Sequence, residues 1–367
     1  MINFFKKLDK KIAVYLGIAL GIIFLLIILM IVLKISVGTR INSKTFETKL
    51  KETAVKYYEK NDDKLPKKNG EKTSISIDDL VDEGYLKNPE KLLKKGLTCS
   101  GGVNVNNNNG YYLYQTDIEC SDGYNTNLLY KKILKDNKIK TTGDGLYKYN
   151  NYYLFRGENL NNYVKFANKN WQILRINNDN TIRLILIDNF DSTTWDDRYN
   201  IDKQDSVGKN NYEISRIKQT LDTYFINEKD KLFTNEDKAL IVPTELCIGS
   251  RNELSTIMDG SIECLKKTEK LPLGLLQANE YTIVSLDPDC KNLFDSQCSN
   301  YNFLAKLGTF WTLTPDSKSS YHVYRVSGRI ISSIANTYAK PRIVLNISSD
   351  ALYKSGNGSK NNPYIIK

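Results

Sequence analysis

The chain has 367 residues, 41% of them hydrophobic and 26% charged, and 52 Lys and Arg against 42 Asp and Glu leave a formal charge of +10. With that composition neither half needs to be disordered, and the length suggests two domains with cores of their own. The positive excess suits an anionic membrane surface or an acidic wall polymer, whereas the absence of an Arg-rich run with interleaved aromatics argues against nucleic acid.

An uncharged stretch, IAVYLGIALGIIFLLIILMIVL, lies between Lys11 and Lys34. At about 1.5 Å per helical residue it is long enough to cross a bilayer core. It predicts a transmembrane signal anchor over 12–34, with the lipid bilayer as its partner. Lys6, Lys7, Lys10 and Lys11 keep residues 1–11 in the cytoplasm and place the rest outside, a single-pass protein of the cell membrane. A signal peptide cleaved after Gly38 is the competing reading; the apolar length, beyond the about 7–15 residues of a signal-peptide core, argues against it.

Residues 35–130 read as a small α+β unit. Phe46, Leu50, Ala54 and Tyr58 fall four apart, with Val55 and Tyr57 widening the stripe, as an amphipathic helix requires. Ser76 with Asp79 three residues on opens a second short helix that stops at Gly84. In GGVNVNNNNGYYLYQTDIEC, alternating Val103, Val105 and Tyr112, Tyr114 flank an Asn-Gly turn, the pattern of a β-hairpin. This order of apolar helix, helical stalk, DLVDEGYL helix and small antiparallel sheet resembles the type IV pilins and pseudopilins of Gram-positive bacteria. The chain lacks their Gly-Phe-Thr-Leu-x-Glu signature before the apolar helix, so the resemblance implies a pilin-like spacer, with a pilus or pseudopilus subunit as the alternative.

The basic, polar run KKILKDNKIKTTGDG ends in turn formers and reads as a linker over 131–148. Beyond it, NWQILRI and TIRLILI read as two strands around a tight turn at 177–180. Ile214, Ile217, Leu221 and Tyr224 share one helical face, and the phrases FWTLTP, YHVYRVSGRI and PRIVLNI return to short strands. Together with NNYVKF, GLLQANEYTI and GNGSKNNPYII, these phrases resemble an uncharacterised surface-protein domain of low-GC Gram-positive bacteria. That domain is similar to the formylglycine-generating-enzyme and C-type-lectin-like fold. The resemblance covers residues 149–367 and implies a mixed α+β head with long loops. The fold class expected for the whole is therefore α+β: one N-terminal transmembrane helix, a pilin-like domain and a lectin-like head.

The six cysteines form sequence-local couples, Cys99 with Cys120, Cys247 with Cys264 and Cys290 with Cys298. An even count outside the membrane favours disulfides, for which local pairing is the simplest arrangement; buried thiols are the alternative. No couple has CxxC spacing, and His322 is the one histidine, which argues against a zinc or redox site.

No catalytic, cofactor-binding or metal-binding residue is expected. The oxidising relatives of the formylglycine-generating fold need a copper-binding cysteine pair near the carboxy terminus, and no cysteine follows Cys298. His322 sits in an alternating strand pattern without a nucleophile elbow. Two acidic sets, Asp188, Asp191, Asp196, Asp197 and Asp287, Asp289, Asp295, lack the spacing of a calcium loop and read as loop acids. Tyr152, Tyr153, Tyr163, Tyr321 and Tyr324 read as sheet packing that could also stack on ligands, and Trp171 and Trp311 as core. The function expected is adhesion or binding to cell-wall polymer, glycan or an envelope protein.

Overall fold

The computed structural model describes residues 20–24, 40–226, 232–255 and 257–366. Two hydrophobic cores divide them. The smaller gathers Phe46, Leu50, Ala54, Tyr57 and Tyr58 of helix Ser43–Lys60 against Val103, Val105 and Ile118 of a three-stranded antiparallel sheet. Asn42 starts the helix, its Oδ1 accepting from the Thr45 amide at 2.9 Å. Ser76 and Asp79 form a reciprocal capping box at the start of helix Ile77–Asp82.

Strands Cys99–Asn108 and Tyr111–Cys120 form the hairpin, with Asn109 and Gly110 both at positive φ in the two-residue turn. Gly101 and Gly102 sit where the three strands crowd. A Cβ on Gly102 would stand 2.3 Å from the Ile75 carbonyl oxygen, so only glycine allows that approach.

The larger core is built on a nine-stranded sheet. Its main path runs Gly274–Leu275, Ile343–Ile347, Ile182–Leu186, Lys169–Ile176, Tyr163–Phe166, Tyr364–Ile366, Tyr353–Ser355, and the hairpin Gly145–Tyr149/Tyr152–Arg156 joins through Lys169–Ile176. Pairing is antiparallel except between Tyr163–Phe166 and Tyr364–Ile366. A second sheet of Phe310–Pro315, His322–Val326 and Ile330–Ile334 supplies Phe310, Trp311, Leu313 and Tyr324 to the same core, which Trp171 and Trp195 also enter fully buried. The architecture is α+β, rich in short strands.

Three expectations are corrected. No helix among the described residues is long and apolar enough to cross a membrane, so the transmembrane helix drops out of the fold class. Of 12–34 only residues 20–24 are described, as helix with exposed Leu20, Ile22, Ile23 and Phe24; the remainder, like 1–11, lies outside the described residues. The segment expected as a linker instead forms helix Leu129–Asp136, and Leu129, Ile133 and Leu146 belong to the larger core. Two apolar residues four apart suffice to dock a helix whose other faces are basic. In the helix read around 214–224, helix Arg216–Ile226 buries Ile217 and Leu221, while Ile214 precedes it in a 3₁₀ turn and is exposed.

The asparagine run does more than pair strands. Successive residues of a strand face opposite ways: Val103 and Val105 enter the small core, while Asn104 and Asn106 donate to Asp350 of the large unit at 2.9 and 2.8 Å. Asn108 continues the row with a 2.7 Å bond to the Ala239 carbonyl, and Asn109 reaches that of Ile241 at 2.9 Å. Lys72 adds an ion pair to Asp350 at 3.0 Å.

Candidate functional site

A cleft of about 350 Å³ opens in the large unit where four distant segments meet. Strand Tyr152–Arg156 brings Tyr152 and Leu154; strands Lys169–Ile176 and Ile182–Leu186, with the turn between them, bring Arg175, Asn177, Asn178 and Arg183. The disulfide-closed loop between Cys247 and Cys264 supplies Asp259 and Gly260, and helix Ala278–Ile283 supplies Asn279, Glu280 and Ile283.

The base of the cleft is an ionic lock. Glu280 Oε1 accepts from Arg175 Nη1 at 2.7 Å and Arg183 Nε at 2.6 Å; Oε2 accepts from Arg183 Nη2 at 2.9 Å and the Gln277 amide at 3.0 Å. Burial alone would raise the Glu280 carboxyl, but the two guanidiniums outweigh it and hold it at about 2. Arg183 is buried, whereas Arg175 is about a third exposed and passes its Nε to Asn177 Oδ1 at 2.7 Å. The Arg175 guanidinium lies 5.8 Å from the Tyr152 ring centre. Burial pushes the Tyr152 hydroxyl up to about 12, so it stays a neutral donor at physiological pH.

The loop wall is fixed from inside. Arg251 and Glu263, both fully buried, form a bidentate pair at 2.7 and 2.6 Å, and Arg251 Nη1 also donates to the Ile257 carbonyl at 2.6 Å. Gly260, at φ +81°, lies against Asn279 with no room for a side chain: an added Cβ would stand 2.6 Å from Asn279 Nδ2. Asn279 is 6% exposed and lines the cleft, yet its Oδ1 has no hydrogen-bond partner. A buried acceptor left alone costs about 1–3 kcal/mol, which makes this atom the most telling in the cleft.

Five carboxamides line the cleft (Asn151, Asn177, Asn178, Gln277, Asn279), each able to donate and accept. The chemistry on offer is hydrogen bonding, stacking on Tyr152, and charge of both signs: Arg175 and Arg183 against the carboxylates of Glu245, Asp259 and Glu280. All six cysteines are disulfide-bonded, in the couples Cys99–Cys120, Cys247–Cys264 and Cys290–Cys298. Among the described residues no group of three His, Cys, Asp or Glu is gathered as a metal-ligand set.

The residues singled out from sequence scatter. Asp196, fully buried, accepts from Arg198 Nε at 2.8 Å and from the Lys209 and Arg216 amides at 2.7 and 3.1 Å. Asp188 accepts from Asn170 and Asp197 pairs with Arg216. Asp287 holds Asn300 Nδ2 at 2.7 Å, Asp289 pairs with Lys291, and Asp295 accepts the Lys291 and Asn292 amides. These acids fasten loops. His322 is half-buried with its ring 4.5 Å from that of Tyr321, and Tyr324 is buried with its hydroxyl donating to the Arg251 carbonyl at 3.1 Å. Of the five tyrosines only Tyr152 lines the cleft. Arg175, Arg183, Asn279 and Glu280 carried no local sequence signal, because their meeting depends on strand register and a helix about a hundred residues away.

Compared with protein-family models, characterised proteins and solved structures, the chain matches none.

Proposed function

We propose that this chain is an extracytoplasmic binding protein of the cell envelope whose large unit holds a saccharide in the amide-lined cleft. The observation that carries this reading is the make-up of the cleft: five carboxamides, the Tyr152 ring and a guanidinium locked by Glu280. Its volume falls in the range of small-molecule sites, about 300–1,000 Å³. Sugar hydroxyls both donate and accept, as carboxamides do, and the apolar face of a pyranose suits a tyrosine ring. Three disulfides support an oxidising, extracytoplasmic setting. A binding role also agrees with the resemblance of 149–367 to a lectin-like fold.

The test is binding of the full chain, purified under oxidising conditions, to isolated cell-wall sacculi and to a glycan array at low and raised salt. Saturable, salt-resistant binding to one glycan class is the result expected. Binding that vanishes at raised salt reduces the effect to the +10 charge, and that outcome, like no binding, overturns the reading.

A further inference from the structure

One buried acceptor, one spare guanidinium donor and several apolar side chains line the cleft. Asn279 Oδ1 is a buried acceptor without a donor. Arg175 spends Nε on Asn177 and Nη1 on Glu280, leaving Nη2 without a hydrogen-bond partner among the described residues, on a side chain that is about a third exposed. Leu154, Leu246 and Ile283 line the same cleft.

The complement of these three features is a secondary amide bearing a small alkyl group: an N–H for Asn279 Oδ1, a carbonyl oxygen for Arg175 Nη2 and a methyl for the apolar patch. Hydroxyls alone would satisfy the two polar groups but would leave the apolar patch facing polar atoms. Asn177 and Glu280, the latter itself clamped by Arg183, hold Arg175, so the donor is positioned before any ligand arrives. Gly260 lies close enough to the Asn279 carboxamide that an added Cβ would stand 2.6 Å from its Nδ2.

We propose that the cleft recognises an N-acylated amino sugar through its acetamido group, with the amide N–H on Asn279, the carbonyl on Arg175 and the pyranose face toward Tyr152. This rests on the saccharide reading above and names its substrate class. A peptide bond offers the same N–H and C=O, but the exposed carboxamides of Asn151 and Asn178 at the rim match ring hydroxyls better than a peptide's side chains.

Titration calorimetry of the full chain with the β-1,4 disaccharide of N-acetylglucosamine, its de-acetylated form and the matching glucose disaccharide tests this. The acetylated sugar is expected to bind at least about tenfold more tightly than either analogue, since a site that hydrogen-bonds a group rejects a ligand lacking it. Asn279→Leu removes the acceptor and is expected to erase that preference, whereas Asn279→Asp keeps an acceptor and retains it. Equal affinity for all three sugars sinks the acetamido assignment but leaves the saccharide reading standing; no affinity for any sugar, or tighter binding of an N-acetylated dipeptide, sinks both. Should Asn279→Leu fail to fold, the comparison of the three sugars on the natural chain decides alone.

Discussion

Asn106 of the small unit donates its Nδ2 to Asp350 Oδ2 of the large unit at 2.8 Å, across 244 residues, with both side chains buried. Asn104 and Lys72 converge on the same carboxylate at 2.9 and 3.0 Å. Asp350→Ala leaves these donors facing a hole and is expected to destabilise the contact by about 2–4 kcal/mol. Urea unfolding followed by tyrosine and tryptophan fluorescence should then split into two transitions, because all three tryptophans belong to the large core. A single transition at the natural midpoint would contradict this role.

Glu280 gives stability a definite pH dependence. Its folded pKa of about 2 lies below the ordinary 4.5, so its contribution is present above about pH 4.5 and lost as pH falls toward 2. Glu280→Gln is expected to cost about 3–5 kcal/mol at pH 7 by leaving Arg183 without its counter-charge. Melting temperatures of the two proteins should draw together between pH 4.5 and 2.5, and curves that stay parallel would speak against the lock.

Cys247 and Cys264, 17 residues apart, close the loop that walls the cleft. Replacing both by serine is expected to lower stability by about 3 kcal/mol, by releasing the loop in the unfolded chain. Saccharide affinity should fall along with it, while replacing Cys99 and Cys120 in the small unit should lower stability and leave affinity alone. Calorimetry on both double variants separates the two effects.

Gly260→Ala addresses Asn279 directly. At φ +81° an alanine carries a left-handed backbone penalty of about 1–2 kcal/mol, and its Cβ would meet Asn279 Nδ2. The melting temperature should drop by a few degrees and the affinity of the cleft more than the fold, so unchanged binding would place the carboxamide outside the ligand contact.

Much of the local structure was legible because its causes are local. Ser76 and Asp79 close their capping box within three residues, Asn109-Gly110 sets the hairpin, and the three disulfides join neighbouring cysteines. Helix Leu129–Asp136 was missed because its three lysines and Asp136 sit in a run that ends in turn formers, and burial of Leu129 and Ile133 depends on a sheet formed later in the chain. The asparagine run showed its alternation, but the partner of its polar face, Asp350, lies far along the sequence. The cleft was invisible for the same reason. Its buried ions, Arg183 and Glu280, are unremarkable in isolation and acquire their chemistry only when strand register and helix placement bring them to 2.6 Å.

The parallel strand Tyr364–Ile366 lies between Tyr163–Phe166 and Tyr353–Ser355, with Tyr364 opposite Val164. During synthesis, amino end first, Tyr163–Phe166 must wait for about two hundred further residues before its outer neighbour arrives. Until then that strand is an open edge, able to pair with another chain. The hairpins of the large sheet can thus close early, while the outer side of Tyr163–Phe166 is covered only by Tyr364–Ile366, and removing that strand would leave it an edge.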